Sequence, residues 1–164
     1  MPDAIVVLKD DHKTIEKLFK QFEKLDKSDG KPAAKRKVVD QILDELAVHT
    51  TIEEKHFYIA IKGKDEEIDD LVLEGYEEHH VVDGTMEELR TLDPQAEKFD
   101  AKVTVLIEMV RHHVEEEEQE MFPKVRKALG RKDLQTIGSA LEQAKLAEPY
   151  PAGSVSKSLA TKRS

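Results

Sequence analysis

Cysteine is absent from this chain, and so is tryptophan. The first absence excludes disulfides, thiol nucleophiles, cysteine-ligated zinc and iron–sulfur clusters. It suits a reducing compartment, and the expected location is cytoplasmic. Long apolar runs are also missing: nothing approaches the roughly 18 residues that a membrane-spanning helix requires. The first residues, Met1 to Lys9, lack the basic start and apolar stretch of a secretory signal. Aromatics are only 5% of 164 residues, and glycine (7) and proline (6) are sparse. Positive charge is in deficit, with a formal net charge of −9. An acidic chain of this kind is expected to bind neither nucleic acid nor membrane.

What the chain does have is lysine, glutamate, leucine and alanine, a strongly helical composition. Its few breakers are regularly placed. Ser28-Asp29-Gly30-Lys31-Pro32 reads as a loop with a proline opening the next helix. Gly63 ends a long stretch and Asp65 caps the following one. Asp93-Pro94 reads as a cap with a first-turn proline. Pro123 should kink or end a helix near Phe122. The expectation is all-α: long helices over about 4–27, 33–62, 66–92 and 97–122. A short fifth helix follows over about 132–147. Short loops imply antiparallel neighbours, hence an up-down-up-down four-helix bundle. Residues 1–148 read as one domain. Residues 149–164, where Lys157, Lys162 and Arg163 meet no acid, read as a flexible basic tail.

Helical phase sorts the histidines. At about 100° per residue, Val103, Leu106, Ile107, Val110 and Val114 mark the apolar arc of the fourth helix. Glu117 lies inside that arc and His113 on its shoulder. His112 and Glu116 lie opposite. The second helix repeats this arrangement with His49 and Glu53. A shift of 64 places Val39 on Val103, His49 on His113 and Glu53 on Glu117. A shift of 67 places His12 of the first helix on His79 of the third. The chain therefore reads as two copies of one unit: a helix with one inward histidine, then a helix with inward His-x-x-x-Glu. Counted from the turns at a rise of about 1.5 Å per residue, all six side chains stand at one depth.

Six polar groups at one level of an aliphatic core need a shared partner, because unpaired buried carboxylates cost several kcal/mol each. One or two divalent cations would serve. Four imidazoles and two carboxylates exceed a single tetrahedral zinc site and suit two metals. The donor set admits iron, manganese or zinc and disfavours calcium.

The joint pattern is specific: His12, then "HTTIE" (His49, Glu53), then "EEHH" (His79), then "HHVEEEEQEMFP" (His113, Glu117). It resembles the hemerythrin-like family, the HHE cation-binding domains, over about residues 4–129. The resemblance implies a bundle around two iron ions in an oxo- or hydroxo-bridged centre, with manganese or zinc as alternatives. It implies Glu53 and Glu117 as bridges and His12, His49, His79 and His113 as terminal ligands. It also implies binding of dioxygen, nitric oxide or peroxide in a sensing, stress or iron-binding role. An oxidase- or peroxidase-type enzyme and a metal-free acidic interaction bundle are the competing functions. The chain departs from the oxygen carriers of the family, which have His-x-x-x-His on the third helix. Here Asp83 follows His79. Glu78, Asp83 and His80 are the further candidates on that helix. His56 is expected outside the ligand set, and Tyr58 and Tyr76 are expected as interfacial aromatics.

Overall fold

The computed structural model describes residues 1–148, so the expected flexible tail lies outside them. Among the described residues there are helices and turns and no strands. Helix α1 is Ala4–Lys27, started by Asp3, whose carboxylate accepts from the Val6 amide at 3.0 Å. Helix α2 starts with Pro32 in its first turn and runs Pro32–Ile52. It then widens into a π-helical segment, Glu53–Tyr58, and ends in Ile59–Ile61. Gly63, at φ 80°, turns the chain in a conformation that glycine adopts without strain. Asp65 then caps α3, Glu66–Thr91, by accepting from the Glu67 amide at 2.9 Å. Helix α4 is Phe99–Glu116, continued by a second π-helical segment, Glu117–Met121, and by Phe122–Ala128. Helix α5 is Arg131–Ala147.

Two expectations change. Asp93-Pro94 does not open α4: the Asp93 carboxylate accepts from the Gln95 amide at 2.8 Å in a turn, and the helix begins at Phe99. Nor does Pro123 end the helix. It follows the π segment, in the first turn of renewed α-helix, where its missing N–H costs least.

The core consists of two apolar clusters with a polar layer between them. One holds Phe19, Phe22, Leu43, Leu46, Val103 and Leu106 near the α1–α2 and α3–α4 turns. The other holds Leu8, Ile52, Phe57, Tyr58, Phe122 and, from α5, Leu134 and Leu141. Helix α5 lies against α1 closely enough that a Cβ on Gly138 would sit 2.5 Å from the Pro2 carbonyl oxygen. Outer ion pairs hold the bundle. Arg111 of α4 reaches Glu16 and Glu23 of α1, and Lys35 joins Asp26 to Asp100. No helix of the described residues is long and apolar enough to cross a membrane.

Candidate metal centre

All six inward side chains of the sequence pattern meet in the polar layer. His12, His49, Glu53, His79, His113 and Glu117 are each at most 6% exposed. The imidazole Nε2 atoms face the carboxylates: His12 to Glu117 at 3.3 Å and His113 to Glu117 at 3.2 Å. His79 lies 3.3 Å and His49 3.6 Å from Glu53. Donor atoms of His12, His49, Glu53 and Glu117 fall within 4.8 Å of one another, and those of Glu53, His79 and His113 do the same. Glu53 belongs to both groups. Glu117 also spans the halves, touching His12 of α1 and His113 of α4.

The outward nitrogens are held by carboxylates, in a pattern that repeats the sequence shifts. His12 Nδ1 meets Glu118 Oε1 at 2.8 Å, and His79 Nδ1 meets Glu54 Oε1 at 2.8 Å. His49 Nδ1 meets Asp11 Oδ2 at 3.4 Å, and His113 Nδ1 meets Glu78 Oε1 at 3.0 Å. Glu54 and Glu118 are 64 apart, and Asp11 and Glu78 are 67 apart. A carboxylate at Nδ1 accepts the ring proton and leaves the Nε2 lone pair pointing inward, the tautomer a metal ligand needs.

The inner atoms fit a cation and little else. His12 Nε2, His49 Nε2, both Glu53 oxygens and Glu117 Oε2 are buried without a hydrogen-bond partner. His79 Nε2 and His113 Nε2 stand only 3.1 Å apart. Two lone pairs at that distance repel unless a proton or a cation lies between them. Protons are the substitute in the metal-free state. Burial disfavours charge on His113, but Glu117, Glu53 and Glu78 outweigh it and hold its pKa well above the usual 6.5. Burial likewise opposes ionised Glu117, yet His113 and His12 hold its pKa well below 4.5. The cluster demands positive charge at its centre, which a metal supplies by displacing those protons.

The π-helical segments begin at Glu53 and Glu117, again 64 residues apart. In an α-helix a residue five places on lies about 140° away. The wider i→i+5 turn brings it back towards the same face. Tyr58 and Phe122, each five after its glutamate, therefore return to the centre. Tyr58 stacks on His79 with ring centroids 5.5 Å apart, and Phe122 stacks on His12 at 6.0 Å. The Tyr58 hydroxyl donates to Glu117 Oε1 at 2.9 Å. Burial, then the Glu53 and Glu117 charges, push the phenol's pKa far up, so it keeps its proton. The bare α-carbon of Gly75 makes room: a Cβ there would sit 2.5 Å from the Tyr58 oxygen.

Tyr58 is thus part of the centre and not only an interfacial aromatic. A uniform helical phase concealed it. Tyr76 lies behind it, 5.2 Å ring to ring. Glu78 reaches the centre through His113, while Asp83 and His80 are exposed and His56 lies outside both donor groups. Asp11, Glu54 and Glu118 were missed or left open by phase alone. Their signal was the doublet: an acid just before His12 and His79, and just after Glu53 and Glu117.

The hemerythrin HHE cation-binding domain profile matches residues 3–125, most of the described fold. The chain belongs to that family. Its fold is also that of a hemerythrin HHE cation-binding domain-containing protein from Mycobacterium kansasii. That structure superposes with a TM-score of 0.72 over 90% of each chain at 21% identity. A DNA nickase from Nostoc sp. is 24% identical over 139 residues. This chain aligns over 85% of its own length but spans only 38% of that relative. The hemerythrin-like chain is thus a metal-binding type of helical bundle with a buried His/Glu cluster.

Proposed function

We propose that this hemerythrin-like chain is a non-haem di-iron protein that binds dioxygen, nitric oxide or peroxide. The observation that carries it is the pair of donor groups that share Glu53, with every imidazole Nδ1 tied to a carboxylate. His12, His49, Glu53 and Glu117 would hold one ion, and His79, His113, Glu53 and Glu117 the other. Two iron ions so held supply a Lewis-acidic, one-electron-reactive place for a small ligand. Manganese or zinc fits the donors as well, and iron is favoured by the family resemblance.

The chain's own residues do the rest. The four carboxylates at Nδ1 fix the rings and raise their basicity. The Tyr58 hydroxyl, 2.9 Å from Glu117 Oε1, keeps its proton and donates it in a hydrogen bond that fixes the orientation of that carboxylate. Aliphatic clusters on either side keep bulk water away. A groove of about 570 Å³ between α1 and α4, bordered by Ile15, Phe19, Val110 and Val114, reaches His12 and Glu118. It offers a small molecule a way in and also favours the second reading, oxidase- or peroxidase-type turnover on the same centre. DNA nicking, named for the Nostoc relative, suits this chain less well, since its charge of −9 repels a phosphate backbone.

Metal analysis with an optical spectrum of aerobically purified protein tests the proposal. About two irons per chain and near-ultraviolet bands that change with nitric oxide or peroxide are expected. Stoichiometric zinc alone, or no metal, would sink it. Peroxide consumption faster than free iron provides would move the assignment to the enzyme reading.

A further inference from the structure

Every inner imidazole has a carboxylate at its Nδ1, but the four carboxylates differ in what stands behind them. Asp11, on His49, is also ion-paired with Lys145 of α5. The Asp11 side chain is only 7% exposed, so water and salt screen that pair little. Glu118, on His12, has Lys9 of α1 at 3.9 Å. On the other side, Glu54 holds His79 and Glu78 holds His113, and neither has a lysine or arginine ion pair among the described residues. Ammonium groups therefore balance the outer carboxylates of His12 and His49. Those of His79 and His113 stand unbalanced.

This split coincides with the two donor groups. A carboxylate at Nδ1 draws the ring proton towards itself and makes Nε2 a stronger donor to a metal. An ammonium on the same carboxylate pulls charge the other way and weakens that effect. The contacts agree: His49 meets Asp11 at 3.4 Å, whereas its repeat counterpart His113 meets Glu78 at 3.0 Å. Lys145 comes from α5, which follows the repeated units and packs against the first of them, so the asymmetry is built into the order of the chain. Access differs in the same sense. The groove of about 570 Å³ between α1 and α4 is bordered by His12 and Glu118. The crevice lined by Glu78, His113 and Glu117 has about 10 Å³, room for one water at most.

We propose that Lys145, assisted by Lys9, makes the two metal positions unequal: the chain holds an ion at His79 and His113 the more tightly, and His12 and His49 form the exchangeable position beside the groove. The inference rests on the metal-centre reading of the six inner residues. Glu53 and Glu117 each face histidines of both positions, so they do not discriminate between them. The discrimination falls to the outer carboxylates and the charges behind them. Lys145 carries most of it, because Asp11 is buried, while Lys9 and Glu118 are 42% and 33% exposed and form a screened surface pair. Metal exchange and small-ligand entry thus share one side of the bundle.

The test uses the full chain stripped of metal and Co(II) as the probe. At one equivalent of Co(II), anomalous diffraction of wild-type crystals should show the main peak among Glu53, His79, His113 and Glu117. Optical titration should resolve two steps roughly tenfold or more apart in Kd. Lys145→Met should bring the steps together by about threefold or more, and Lys145→Arg should keep them apart. Lys9→Met should act in the same direction and less. A first peak among His12, His49, Glu53 and Glu117, or two equal peaks, would overturn the inequality. Unchanged steps in a folded Lys145→Met would overturn the role of Lys145: a lysine that only anchors α5 lowers the melting temperature without moving them. If that variant does not fold, Glu78→Gln decides. It removes the unbalanced charge on the other side and should also bring the steps together, and unchanged steps would overturn the proposal. A wild type that takes no Co(II) at the six inner residues would instead defeat the metal-centre reading.

Discussion

The half built from α1 and α2 and the half built from α3 and α4 place the same groups in the same relation, yet they are finished differently. Each has an acid-histidine doublet on one helix and, on the next, His-x-x-x-Glu-Glu with a π-helical segment that starts at its first glutamate and an aromatic five residues after that glutamate. In the first half α5 covers the outside, and Lys145 neutralises Asp11. In the second half the outside is open, and Glu78 has His113 alone as its ion-pair partner among the described residues. The aromatics differ as well. Tyr58 carries a hydroxyl onto Glu117, whereas Phe122 offers Glu53 nothing. Shared groups of this kind can bind a pair of ions. The differences make the two positions inequivalent in charge, in hydrogen bonding and in access.

Removing what the halves share should have the largest effect. Glu53→Ala takes a donor from both groups, so metal content by elemental analysis should fall from two ions to near zero. His49→Ala and His113→Ala each damage one group and should retain more. Stripping the wild type with a chelator should lower its melting temperature by roughly 10 °C. That corresponds to about 4 kcal/mol of linkage at free metal a thousandfold above Kd and to ~2–4 °C per kcal/mol at this size. An unchanged melting temperature would favour a metal-free interaction protein. Glu53→Gln should destabilise the stripped protein, because burial and Glu117 oppose the Glu53 charge but the facing His49, His113 and His79 outweigh them and hold its pKa below the usual value, so the variant leaves those imidazoles without their counter-charge.

Proton competition gives the next effect. The pKa values of His12, His79 and His113 are raised: burial opposes their charge, but facing carboxylates, Glu117 and Glu53 foremost, outweigh it. A raised folded-state pKa stabilises the metal-free fold fully below the ordinary value near 6.5. That contribution is lost as pH climbs through the raised values. Metal binding gains over the same window, since it must displace those protons. The melting gap between loaded and stripped protein should therefore widen as pH rises above the ordinary histidine value near 6.5, read by calorimetry, and a narrowing gap would contradict this ordering.

Smaller changes should separate the halves. Tyr58→Phe makes the first half copy the second and removes one buried hydrogen bond, worth about 1–1.5 kcal/mol. It should alter the spectrum of bound metal without emptying the site. Gly75→Ala should do so at greater cost to stability, because the new methyl collides with the Tyr58 oxygen. The outer partners should weaken metal about 10–100-fold when neutralised. Asp11→Asn should destabilise the fold more than Glu78→Gln, since Asp11 also ties down α5. The smallest effects belong to His80→Ala and Glu120→Ala, on wet faces, each within about 0.5 kcal/mol and with metal retained. By contrast His79→Ala and Glu117→Ala should lose metal.

The bundle and its central layer were legible because both leave periodic marks. Val39, Ile42 and Leu46 repeat as Val103, Leu106 and Val110, and the polar exceptions in those stripes are His49 and His113. The π-helical segments left no such mark. An extra residue in a turn changes the phase only downstream, so Tyr58 and Phe122 appeared to point away from the glutamates they accompany. The continuation past Pro123 was hidden for the same reason: the disruption expected at a proline had already occurred in the widened turn before it. The Nδ1 partners were partly legible, since Glu78 lies near the apolar arc. Their cross-helix choice of histidine was not, because Asp11 adjoins His12 in sequence but serves His49 in space.

Anomalous diffraction at the iron edge, from crystals of the protein purified with its native metal, tests the central claim most directly. Two peaks are expected in the buried layer, one among His12, His49, Glu53 and Glu117 and one among Glu53, His79, His113 and Glu117. A single peak, or a layer without anomalous density in a folded protein, would contradict it.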